Sequence, residues 1–170
     1  MNYETLIKNY LAGPEILRRS VSGMSDEQIN AAPIPFKWST RQVVFHISDL
    51  DLIYVDHMKR LIAESEPVLL DGDRELYAAQ LAYDLRDVDE EIRMIKAVRR
   101  HMGRILRSMN AAAFERKGVH SELGPLTLAE LLQRATDHIP YHGQYIEENR
   151  KALKVGERAM PFHLAGVGVR

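Results

Sequence analysis

The chain has 170 residues, 45% of them hydrophobic and 28% charged, with 10 glycines, 7 prolines and no cysteine. That is enough chain to bury one sizeable core without staples, and it excludes extended disorder, collagen and a coiled-coil rod. Twenty-three basic against 24 acidic side chains leave no field for gripping nucleic acid, and the lack of cysteine removes disulfides, thiolate metal sites and a cysteine nucleophile.

No apolar run approaches the ~20 residues of a membrane span. The residues after Met1, NYETLIKNY, do not read as a basic stretch followed by an apolar one, so no export signal is expected. A cytoplasmic protein without a nucleic-acid or membrane partner is therefore expected.

In chain order, Gly13-Pro14 is expected to end or kink any helix that precedes it, with Pro14 opening a segment to Val21. Ser25 with Gln28, Ser39 with Gln42 and Thr127 with Glu130 each have the spacing of a capping box, in which two side chains satisfy helix-end amides reciprocally. Behind Ser39 the stripe Val43, Ile47, Leu50, Ile53, Tyr54 and Leu61 predicts a helix over Thr40–Glu64. Val88, Ile92, Ile95, Val98, Met102, Ile105 and Met109 predict another over Asp84–Met109, with charged positions on its exposed side. Behind Thr127, Leu131, Leu132, Ala135, Ile139 and Ile146 predict a last one over Leu128–Leu153. Strand signals are nearly absent; Val68–Leu70 is short and follows Pro67.

Four main helices in a core-sized chain read as an all-α four-helix bundle. About 20 residues join the second helix to the third, and a similar number the third to the fourth, against ~2–8 for simple antiparallel neighbours. At least one long crossover is therefore expected. The bundle should occupy residues 1–153, and residues 154–170 have no helical period. The tail's Met160, Phe162, Leu164 and Val167 make a two-fold homodimer a fair expectation.

Seven histidines are the unusual feature. His138 and His142 are four apart, so their rings leave one helix face as neighbours, a spacing that lets two imidazoles reach one ion. A pair at this spacing is equally at home on a surface. Two details favour the metal: both fall on the stripe with Ala135, Ile139 and Tyr145, and His46 lies on the apolar stripe of the second helix. Ile139 follows His138, so this is not the zincin arrangement, which needs Glu there. Asp49, one turn after His46, and Asp137, next to His138, are the acid–base candidates; each can orient a ligand imidazole, face an open metal position, or be a solvated carboxylate. His57 shares the His46 stripe but sits ~16 Å further along the axis and reads as a packed histidine. His101 reads as a surface residue, His120 as a possible pocket wall, and His163 as a remote cap for the metal. Pro140, between the paired histidines, either kinks the helix and adjusts their aim or is a tolerated irregularity.

KWSTRQVVFHISDLD and ELGPLTLAELLQRATDHIPYHGQYI resemble the two signatures of the DinB/YfiT-like superfamily, and LAGPEILRRSVSGMSDEQINAAP has the same look. The resemblance covers roughly Tyr3 to Leu153 and is strong because the segments occur together, in order and at appropriate separation. Pro140 and Gly143 depart from the charged or larger residues usual there. The resemblance implies a bundle with a long crossover, commonly dimeric, that holds a divalent metal on three histidines, here His46, His138 and His142. It also implies a small-molecule substrate and, in some members, a low-molecular-weight thiol carried by an S-transferase, with related hydrolases and isomerases.

Imidazole ligands suit several ions; zinc or nickel leads the expectation, with iron and manganese behind. The competing expectation is a non-catalytic, stress-related or structural dimer in which the ion only ties two helices together.

Overall fold

The three capping boxes form as the spacing requires. In the computed structural model, which describes residues 2–156, Gln42 and Ser39 exchange bonds with each other's backbone amides at 3.2 and 2.9 Å. Glu130 and Thr127 do the same at 3.1 and 2.7 Å. The elements that follow them are α3 (Thr40–Ala63) and α6 (Leu128–Ala152), and Ser25 opens the short α2 (Asp26–Asn30). The third main helix, α5, covers Val88–Arg107. It starts later than its apolar period suggests because the Asp87 carboxylate accepts from the Glu90 amide at 2.8 Å and sets the cap.

Gly13-Pro14 does not interrupt its helix. The first main helix, α1, runs from Tyr3 to Val21 with Pro14 inside it. Proline removes the donor that would serve the carbonyl four residues earlier, and that carbonyl, Tyr10, instead accepts from Arg99 Nη1 at 2.9 Å. Arg99 therefore does not belong to the exposed charged face expected of α5. Fully buried, it makes a two-pronged pair with Asp51 of α3 at 2.6 and 2.7 Å. It also donates to the carbonyl of Ala135 in α6 at 2.9 Å. One guanidinium thus ties all four long helices.

Each of α1 and α3 packs against both α5 and α6, so α1 and α3 occupy opposite corners. Contacts between named residues give the directions. Ser48 meets Glu91 and Asp51 meets Arg99, while Lys59 shares a groove with His101, so α3 and α5 run parallel. Thr40 meets Asn149 and Tyr54 meets His138, so α3 and α6 run antiparallel. Gly13 abuts Ile139 and Ser20 meets Arg150, so α1 and α6 run parallel. The bundle is up, down, down, up. Two consecutive parallel helices demand the long crossover, here residues 64–87.

That crossover carries β1 (Val68–Leu69) and the short helix α4 (Arg74–Gln80), and the next connection carries a 3₁₀ turn (Ala111–Glu115), β2 (Lys117–His120) and β3 (Gly124–Thr127). The strands form one sheet in the order β1-β2-β3, parallel then antiparallel. Only its first strand was legible in the apolar pattern. The pairing of β1 with β2 fastens the crossover to the loop before α6. No helix among the described residues is long and apolar enough to cross a membrane. His163 and the apolar tail residues from Met160 to Val167 lie outside the described residues.

Candidate metal centre

The buried stripe of α3 carries His46 against the face of α6 that carries His138 and His142. The His138 and His142 ring centroids are 4.5 Å apart, and His46 lies 5.2 and 4.6 Å from them respectively. Each ring offers a nitrogen within 4.8 Å of those offered by the other two. Pro140 stays inside α6 without ending it, so the one-turn spacing of the pair survives.

Electrostatics keep the rings neutral. Burial, helped by the Arg74 charge, pushes His46 down to about 4. Burial together with His46 and Arg74 puts His142 at about 4. Burial and both neighbouring imidazoles take His138 to about 2. Neutral imidazole is the form that donates a lone pair to a metal. Among the described residues, Nδ1 of His46 and Nδ1 of His138 are buried without a hydrogen-bond partner. Such orphaned atoms are rare in folded proteins and suit a site whose missing partner is an ion.

The two expected acid–base carboxylates are engaged elsewhere. Asp49 is buried, but its oxygens take the Tyr83 hydroxyl at 2.7 Å and Arg86 Nη2 at 3.0 Å. Arg86 also holds Glu91 at 2.9 Å, so Asp49 belongs to an ion-pair network joining α3 to the start of α5. Asp137 is exposed and accepts from Gln133 at 2.9 Å, one turn back. Asp137, next in sequence to His138, leaves the helix on another face, and Asp49, one turn from His46, is drawn off by Arg86 and Tyr83.

The crossover supplies what sequence reasoning missed. Asp71, Arg74 and Glu122 wall a cavity together with His46 and His138. Asp73 accepts from the Glu75 and Leu76 amides at 2.9 and 3.1 Å, which caps α4 and fixes Arg74 at its first position. The Asp71-Gly72-Asp73 run reads as a turn, and nothing local says which helix it faces.

His120, whose position before α6 suggested a pocket wall, is buried and does not itself line that cavity; it touches Asp71, which does. Its Nδ1 accepts from the Glu122 amide at 3.2 Å, so the neutral ring carries its proton on Nε2, 3.3 Å from the Asp71 carboxylate. His57 is buried as expected, with Nε2 at 3.1 Å from the Leu70 carbonyl, which can only accept. His57, Asp71 and His120 bring ligand-type atoms within 4.8 Å of one another. The His120 tautomer nevertheless turns an N–H, not a lone pair, toward that cluster. His101 is exposed, as read.

A family model described as the DinB superfamily matches residues 10–146. This chain belongs to the DinB superfamily. Among its DinB relatives, a protein of Oceanobacillus iheyensis named "Putative metal-dependent hydrolase" is 24% identical over 133 residues, 78% of this chain and 77% of the relative. One of Bacillus licheniformis with the same description is 22% identical over 151 residues, 88% and 86% of the two chains. The solved structure described as "YfiT from Bacillus subtilis is a probable metal-dependent hydrolase with an unusual four-helix bundle topology" superposes with a TM-score of 0.83. That match is 20% identical and covers 89% of this DinB chain and 87% of the other. At that identity it establishes the shared four-helix-bundle fold. None of these three is named a transferase.

Proposed function

We propose that this chain is a metal-dependent hydrolase of small molecules, with a divalent ion held by His46, His138 and His142. The observation that carries the reading is the set of three neutral imidazoles, His46 and His142 buried and His138 half-buried, with converging nitrogens and two orphaned Nδ1 atoms. The names of the relatives support hydrolysis over the S-transfer that the family resemblance also implied. Bound there, a divalent ion supplies Lewis-acid polarisation of a substrate oxygen and acidifies water, which is the chemistry hydrolysis needs.

The chain's own groups complete the site. His120 Nε2–H holds one oxygen of Asp71, and Asp71 lines the cavity that His46 and His138 also line. Asp71 is the carboxylate we assign to accept a proton there, in place of Asp49 and Asp137. Arg74 sets a positive charge against His46 and His142 and is placed to receive negative charge that develops on a substrate.

The test is metal analysis of protein purified without a histidine tag. It is paired with a screen of p-nitrophenyl esters, p-nitrophenyl phosphate and amino-acid p-nitroanilides on loaded and chelated samples. The reading requires one ion per chain and chelator-sensitive turnover. An ion without turnover in any class returns the protein to the structural-ion alternative. The homodimer is part of the proposal: Leu76 and Leu85 of the crossover region are exposed, and light scattering should give twice the chain mass at micromolar concentration.

A further inference from the structure

We infer that the cleft beside His142 selects an aromatic anion, taking a single ring among Phe36, Trp38, Tyr141 and Tyr145 and its negative group on Arg74. This deepens the hydrolase reading by naming the substrate class of that same site.

The cleft has a volume of about 220 Å³ and is lined by those four aromatic residues together with Arg74 and His142. The aromatic wall of Tyr141, His142 and Tyr145 is continuous, each ring packed edge-on or tilted against the next. Tyr141 and Tyr145 lie 5.5 Å apart at 82°, and their centroids are 5.0 and 5.7 Å from the His142 ring. Trp38 stands edge-on to His46 at 5.1 Å, so the aromatic wall continues to the third imidazole. Aromatic rings favour offset or edge-to-face neighbours about 4.5–7 Å away.

Phe36 is the most telling residue. It is wholly exposed, at 108% of its reference area, and its backbone has φ +61°. A bulky side chain is strained in that left-handed region, and packing that would compensate is missing from an exposed ring. An aromatic held out at the rim of an aromatic cleft gains its contacts when a ligand fills the cleft.

Charge decides the second half of the ligand. The cleft holds two cations, but Lys37 is engaged by Glu148 at 2.7 Å. Arg74 pairs only loosely with its chain neighbour Glu75, at 3.4 Å with both side chains two-thirds exposed. An ion pair so exposed contributes little and yields to an anion held in a partly dry cleft. The Arg74 guanidinium carbon lies 6.0 Å from the Trp38 ring centroid, which puts the charge beside the ring site. Glu75 also lines the cleft and is the group that reverses the preference if the assignment is wrong.

Trp38 is the chain's single tryptophan, so its fluorescence reports this cleft without any need for turnover. Protein as purified is titrated with phenylacetate, with phenethylamine of similar shape and opposite charge, and with acetate, which has the carboxylate alone. Phenylacetate should bind saturably and about tenfold more tightly than either other probe. Arg74→Gln should weaken phenylacetate about tenfold and abolish the preference over the amine, and Tyr141→Ala should weaken both ring-bearing probes. Equal or tighter binding of phenethylamine, no saturable response to phenylacetate, or an unchanged affinity in Arg74→Gln overturns the inference. Repeating the series after chelation separates the two claims. The ranking of probes should persist without the ion, whereas loss of metal in His142→Ala bears only on the hydrolase reading.

Discussion

Arg99 supplies the hydrogen bond that Pro14 removes: its Nη1 reaches the Tyr10 carbonyl at 2.9 Å, the acceptor that a helix leaves vacant four residues before a proline. The same guanidinium serves Ala135 in α6, the carbonyl just before the one that Pro140 deprives. Pro14 inside a long helix is thus tolerated because one buried cation from α5 takes up the acceptor it leaves vacant. Gly13 makes room for it, since a β-carbon there would stand 2.3 Å from Arg99 Nη1 and 3.0 Å from the end of Ile139.

Gly13→Ala should therefore destabilise the fold by about 1–3 kcal/mol, although alanine is the better helix former. Asp51→Asn should cost more, about 3–5 kcal/mol, because it strands a buried guanidinium. Urea unfolding followed by circular dichroism measures both. A Gly13→Ala protein at least as stable as wild type would show that the Arg99 contact is not tight.

His46→Ala and His142→Ala should each strip most of the bound metal, measured as ions per chain by elemental analysis. His101→Ala and His57→Ala should leave the content unchanged. Wild-type occupancy in both of the first two variants would refute the triad.

Three carboxylates separate by role. Asp71→Asn should lower hydrolysis by about 10²-fold or more while leaving metal content intact. Asp49→Asn should act on stability instead, by about 1–3 kcal/mol, through its lost bonds with Arg86 and Tyr83. Asp137→Asn, on the exposed face, should change neither beyond about 0.5 kcal/mol. Turnover and denaturant midpoints measured side by side test all three, and the assignment of Asp71 fails if Asp49→Asn is the variant that abolishes turnover at normal stability.

Chelated protein should lose stability as acid is added. The triad histidines are held down to about 4, 2 and 4 against about 6.5 in an unfolded chain. Below about 6.5 the unfolded state binds more protons than the folded one, so stability falls as pH drops from there toward 4. Each imidazole that stays neutral in the fold adds to the slope. Midpoints of urea unfolding between pH 7.5 and 4.5 should decline, and His138→Gln should flatten the decline. A flat profile in the chelated wild type would mean that the rings are not shielded from protons.

Helix starts and the metal-type spacing were legible in the sequence because both are local. Ser39 with Gln42 and Thr127 with Glu130 satisfy each other within one helical turn, and His138 with His142 share a face by helical geometry alone. The apolar stripes also placed His46 on the inner side of α3, where burial confirms it. What surrounds the histidines was decided by the tertiary structure. Asp49 stands one turn from His46 yet belongs to Arg86, whereas Asp71 and Arg74 come from the crossover and reach the site through the β1–β2 pairing and the turn capped by Asp73. Arg99 reads as one more charge on an amphipathic helix until Asp51, Tyr10 and Ala135 meet it from three other helices. A side chain's period tells which face it occupies. Its partner is set by segments 36 to 89 residues away, and those distances close only when the bundle packs.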